Sequence, residues 1–127
     1  MEHFKMINCN ELNLALCEGR HSIPQAQDGA IFCNSISEKL LKNPELLENI
    51  AFSRIWGKAY EHGFVRHFHT ENDDDALVIH NVHINLYVTG LTVALISVIN
   101  AMRDEDVTIT LYHYDRDTGE YYSQEVQ

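Results

Sequence analysis

The sequence predicts an α/β fold, with α+β as the alternative, in a single domain over residues 1–127. Three observations carry this. Short apolar runs separated by turn residues occupy the first third, a stretch of helical period follows, and a strand, Thr-Gly turn, helix and strand succession comes after it. A chain of 127 residues with 45% hydrophobic content can bury one core and is too short for two ordinary domains.

The elements follow in order. Apolar runs at 4–9, 12–17 and 30–33 read as strands, joined by loops that include Glu18-Gly19-Arg20-His21 and Ile23-Pro24. Asn43 before Pro44 and Glu45 is a helix start: the amide oxygen can accept from an orphan N–H, proline fits the first helical position, and an acid suits the first turn. This helix is expected to reach about His62 and stop at Gly63, with Leu47, Ile50, Ala51, Ile55 and Ala59 at helical spacing and Phe52, Trp56 and Tyr60 broadening the stripe. The acidic stretch 71–75 reads as a loop. Ile84, Leu86 and Val88 then alternate with Asn85, Tyr87 and Thr89, the period of a strand with two unlike faces. Residues 91–103 form a helix that is apolar on nearly every side, a pattern that calls for its own sheet on one side and another element or subunit on the other. Val107, Ile109 and Leu111 alternate with Thr108, Thr110 and Tyr112 as a second strand, Asp117-Thr118-Gly119 makes a turn, and Tyr121 begins a last short strand.

Composition excludes several function classes. Nine Lys and Arg against nineteen Asp and Glu give a net charge of −10, which repels DNA and RNA but leaves room for a small anion held by a few Arg residues and backbone N–H groups. The most apolar stretch, 93–102, contains Ser97 and Asn100 and ends at Arg103, so no membrane span is expected. The start Met1-Glu2-His3-Phe4-Lys5 lacks a secretory pattern, and a cytoplasmic location is expected. Cys9, Cys17 and Cys33, without C-x-x-C spacing, suit buried thiols better than a disulfide framework or zinc knuckle.

The most informative local feature is Thr89-Gly90-Leu91-Thr92. Glycine at a strand's carboxyl end lets a ligand approach the backbone, and the first N–H groups of the next helix favour an anion. Thr89 and Thr92 can add hydroxyl donors, or Thr92 can cap the helix. A full G-x-G-x-x-G is absent, which disfavours a dinucleotide cofactor, and no cofactor is expected. Tyr87, Tyr112 and Tyr114 share a sheet face if the strands pair in the simplest register, either to stack on a base or to pack against a second layer. Arg116 falls near the edge that carries Gly90 if those strands are parallel; otherwise it is a surface residue paired with Asp115 or Asp117. His67, His69, His80 and His83, with Glu61 and Glu71, raise a metal site, but their spacing fits no finger or helical pair, so none is expected. Neither a deaminase P-C-x-x-C nor a G-x-S-x-G elbow occurs, and no catalytic residue is nominated.

Four segments together, LNLALCEGRHSIP at 12–24, DGAIF at 28–32, LYVTGLT at 86–92 and HYDRDTGEY at 113–121, resemble the first Thoeris anti-defence family of phages. That resemblance implies a homo-oligomeric sponge, which binds glycosylated cyclic ADP-ribose signals between subunits without cutting them, and in some members holds cyclic oligonucleotides at separate sites. It implies a pocket that uses Leu91, where the family pattern has an aromatic, together with Asn100 and Arg116. The candidate ligand set is therefore Thr89, Gly90, Leu91, Thr92, Asn100, Arg103, Tyr114 and Arg116, with Arg20, His21 and Arg54 for a second site. The expected partners are a cyclic nucleotide and further copies of the chain, from a dimer up to a hexamer. A ring-nuclease-like enzyme acting on such a messenger is the alternative, and a structural oligomer without a ligand is the third reading.

Overall fold

A computed structural model describes residues 10–19, 23–33, 36–69, 75–89 and 91–126. Along them run β1 (Asn10–Cys17), β2 (Ala30–Phe32), α1 (Glu38–Leu41), α2 (Pro44–Glu61), β3 (Val65–His69), β4 (Asp75–Ile79), β5 (Val82–Tyr87), α3 (Thr92–Met102), β6 (Val107–Asp115) and β7 (Glu120–Glu125). The mixed α/β content agrees with the expected class. One sheet has the order β2-β1-β5-β6-β7, parallel throughout except for antiparallel β7.

Strand alternation divides this sheet into two unlike faces. Leu12, Leu14, Leu16, Ile84, Leu86 and Ile109 are fully buried on one of them, each side chain contributing roughly 1.5–3 kcal/mol by leaving water. Helix α2 meets this face through Leu47, Ala51, Ile55 and Ala59, and α3 through Ala94, Val98 and Met102. The two helices also pack on each other. The opposite face carries Asn13, His83, Asn85, Tyr87, Thr110 and Tyr112, in register across β1, β5 and β6.

The ends of α2 follow from its sequence. Asn43 Oδ1 accepts from the Leu46 N–H at 3.2 Å, Pro44 opens the helix, and Gly63 reverses the chain beyond His62 at φ 75°. Among the described residues no helix is long and apolar enough to cross a membrane.

Three features depart from expectation. A hairpin of β3 and β4, separate from the main sheet, occupies residues 65–79, and Asp75 is the first residue of β4 rather than part of a loop, paired with His69. Most of its side chains are exposed, so it carries little apolar signature; Trp56 Nε1 ties it to α2 by donating to the Leu77 carbonyl at 3.3 Å. The short helix α1, capped by Ser37, is the second addition. Strand β5 ends at Tyr87, two residues earlier than its alternation predicts. The strand expected at 4–9 lies outside the described residues, as do residues 71–74 of the acidic stretch.

Candidate functional site

The four parallel strands end along one edge, where the connections from β1 and β5 lead in opposite directions. β1 leads to β2 on one side, and β5 leads through α3 to β6 on the other. Neighbouring β1 and β5 thus form a topological switch point, the position at which open α/β sheets take their ligands. A crevice of about 250 Å³ opens there, lined by Cys17, Glu18, Cys33, Ile36, Thr89 and Leu91 among others.

Thr89 holds the crevice together. Its hydroxyl donates to the Cys17 carbonyl at 3.0 Å and accepts from the Cys17 N–H at 3.1 Å, so a side chain prolongs the β1–β5 ladder beyond the end of β5. The hydroxyl proton is therefore committed to the protein. Leu91 is the N-cap of α3 and is 41% exposed, and among the described residues no side chain caps this helix, whereas Ser37 caps α1 and Asn43 caps α2. Thr92 is the first helical residue, which corrects its reading as a cap. The first-turn N–H groups of α3 thus have no side-chain acceptor among the described residues. Gly90 lies outside the described residues.

The remaining candidates fall into two other places. Thr92 and Asn100 line a groove of about 210 Å³ with Pro44 and Glu48 of α2 and Val93 and Ile96 of α3. Asn100 donates to Glu48 Oε2 at 3.5 Å and accepts from Arg103 Nη2. Eight residues of helix put Asn100 about 12 Å beyond Thr92, so Asn100 and Arg103 do not converge with Thr89 in one chain. Val93 and Ile96 are 45% and 50% exposed, which leaves the outer apolar side of α3 uncovered in a single chain.

Tyr114 and Arg116 occupy the third place. β5 and β6 are parallel, with Tyr87 beside Tyr112, and their rings stack at 4.8 Å with 15° between planes. Tyr121 meets Tyr87 edge-on at 5.2 Å and Tyr114 at 5.3 Å. Burial, followed by the neighbouring Tyr112 and Tyr121, pushes the Tyr87 phenol above its ordinary range. Tyr121 was legible only as the start of a strand; the turn at Gly119, which sets Tyr114 opposite Tyr121, is the signal that places it in the cluster. Arg116 is exposed in that turn and makes no ion pair with Asp115 or Asp117 among the described residues. The Asp115 carboxylate instead accepts from the Asp117 N–H at 2.9 Å. β6 outruns β5, and Arg116 lies in the turn that follows its last residue, Asp115, on the carboxyl side of the parallel strands.

Arg54 donates to the Ile31 carbonyl at 3.3 Å, and its companions Arg20 and His21 lie outside the described residues. The histidines do not converge. His67 pairs with Asp75 at 2.9 Å, His80 stands 3.4 Å from Asp106 without a formed hydrogen bond, and His83 contacts the Thr108 and Thr110 hydroxyls at 2.7 and 3.0 Å. Among the described residues no group of three or more His, Cys, Asp or Glu is placed to hold a metal ion. Burial and then Cys33 raise the Cys17 thiol above its ordinary range, which favours its protonated form.

No family model, curated protein or solved structure matches the chain.

Proposed function

We propose that this protein binds and sequesters a cyclic nucleotide signal, of the glycosylated cyclic ADP-ribose type implied by its sequence resemblance, without cleaving it. The observation that carries this reading is the crevice at the β1–β5 switch point, bordered by Thr89 and Leu91 at the uncapped start of α3. Unsatisfied N–H groups there favour a phosphate, and Arg116 on the same edge supplies a planar fork for a second phosphate oxygen. The aromatic platform is Tyr114, which is 53% exposed and braced by Tyr121.

Assembly of several copies belongs to the same reading. A crevice of about 250 Å³ is below the range of roughly 300–1,000 Å³ usual for small-molecule pockets, so a second copy is needed to enclose a ligand of this size. Leu91, Val93 and Ile96 offer that copy an exposed apolar stripe beside Asn100 and Arg103.

Mass spectrometry of protein purified from cells that make cyclic ADP-ribose signals, then denatured, tests the proposal. Intact cyclic ligand released by denaturation is the expected result. A linear product would replace sequestration by the ring-nuclease reading, and an empty protein would overturn both. Arg116→Ala is expected to weaken binding about tenfold to a hundredfold, the worth of a hydrogen bond to a charged group, with an unchanged melting temperature. Light scattering at low micromolar concentration is expected to give a mass above that of the monomer.

A further inference from the structure

The function proposed above does not use the two thiols at the crevice. Cys17 is the last residue of β1 and pairs with Phe32, the last residue of β2, so Cys33 is one step beyond that register on the neighbouring strand. The Glu18 N–H donates to the Phe32 carbonyl at 2.9 Å and keeps the two strand ends together at this level. Strands about 4.8 Å apart with a one-residue offset give a Cα separation of about 6 Å, within the window of about 4.4–6.8 Å that a disulfide spans. Both side chains line the same crevice, and Cys33 has left the alternation of β2, so its side chain is not held to the opposite face.

We propose that Cys17 and Cys33 form a vicinal dithiol that hydrogen peroxide converts to a disulfide across the ends of β1 and β2. Exposed Cys33 meets the oxidant, and buried Cys17 resolves the product. In the first step the Cys33 thiolate attacks one peroxide oxygen, the O–O bond breaks, and hydroxide leaves with Cys33 as its sulfenic acid. In the second, the Cys17 sulfur displaces water from that sulfenic acid: its thiol proton and the sulfenic hydroxyl leave together and the S–S bond forms. The elevated Cys17 thiol fits this order, because the group that stays protonated is the slower one to meet peroxide. Closure would tie the two strand ends that wall the crevice.

The test uses the full chain with Cys9→Ser, which removes the third cysteine. The protein is treated with hydrogen peroxide, alkylated with N-ethylmaleimide after unfolding, and digested with trypsin without reductant. Cleavage after Arg20 separates Cys17 from Cys33, so an intramolecular disulfide is read as two joined peptides. The expected result is that linkage in a monomeric chain about 2 Da lighter than before, without alkylation. In Cys33→Ser, whose substitution is exposed and leaves the core intact, Cys17 is expected to remain alkylatable after the same treatment. Cys33 found as sulfinic acid beside an alkylated Cys17 would overturn the proposal, as would oxidation of Cys17 in the Cys33→Ser variant. Either outcome is independent of whether the protein binds a nucleotide.

Discussion

The two faces of the five-stranded sheet are built from the same strands, residue by residue in alternation, yet they obey different chemistry. On the helix-covered face Leu12, Ile84, Leu86 and Ile109 are 0% exposed and aliphatic. On the other, Asn85 Nδ2 donates to Asn13 Oδ1 at 3.0 Å, His83 sits between two threonine hydroxyls, and Tyr87 stacks on Tyr112. One face is held by loss of water from apolar surface, the other by directional contacts between neighbouring strands. The consequence is a division of labour. Substitutions on the first face should be read in stability, and those on the second or at its carboxyl edge in smaller stability changes and in binding.

The largest effect is expected at Ile84. Ile84→Ala leaves a cavity beneath both helices and should destabilise the fold by about 2–5 kcal/mol in urea unfolding. A loss under 1 kcal/mol would mean that this face is less tightly packed than its burial implies. Thr89→Val comes next. It keeps the shape but removes both bonds to Cys17, leaving a part-buried N–H and carbonyl without that partner, at a cost of about 1–3 kcal/mol. If Thr89→Val unfolds at the wild-type urea concentration, the hydroxyl is not what joins β1 to β5 at the crevice.

How much of this was legible depends on where burial writes a pattern. β1, α2, β5 and β6 carry a periodic apolar face, α2 a capping residue as well, α3 a run of apolar residues, and β7 was placed by the turn at Asp117-Thr118-Gly119; the parallel pairing of β5 with β6 was the condition on which the placement of Arg116 and the tyrosines rested. The β3–β4 hairpin has no such pattern: Val65 is followed by four residues with exposed side chains, and its polar and apolar residues are not sorted by face. Of the histidines that invited a metal reading, His67 and His69 are solvent-facing residues of that hairpin, whereas His80 follows β4 and His83 lies within β5. At the edge, the passage from β5 to α3 was readable from the Thr-Gly pair, but the role of Thr89 was not. No spacing rule announces that a hydroxyl will replace a backbone ladder bond between segments 72 residues apart. Nor could sequence reveal that Asn100 and Thr92 share a groove with α2, because that follows from the packing of α2 on α3.

A smaller effect should come from the polar centre of the open face. Asn85→Ala removes one amide bond to Asn13 beside water-accessible neighbours and should cost about 0.5–1.5 kcal/mol, well under the Ile84→Ala loss. Equal losses at Asn85 and Ile84 would erase the distinction between the faces.

The smallest effect sharpens the same distinction through pH. Tyr87 is the titratable group on the open face whose folded environment disfavours its ionised form: burial dominates, with Tyr112 and Tyr121 adding to it, and its phenol lies above the ordinary value of 10.0. In the unfolded chain the same phenol ionises at its ordinary value, so the unfolded state releases the proton first as pH rises. Tyr87 therefore contributes stability that is fully present below pH 10.0 and is lost as pH climbs from there through the folded value. Tyr87→Phe cannot ionise, and phenylalanine keeps the stack on Tyr112. Its urea midpoint should track the wild type up to about pH 9 and then fall less steeply. If the two profiles stay parallel into the alkaline range, Tyr87 is as solvated when folded as when unfolded, and the open face is wetter at its aromatic end than the stack of Tyr87 on Tyr112 implies.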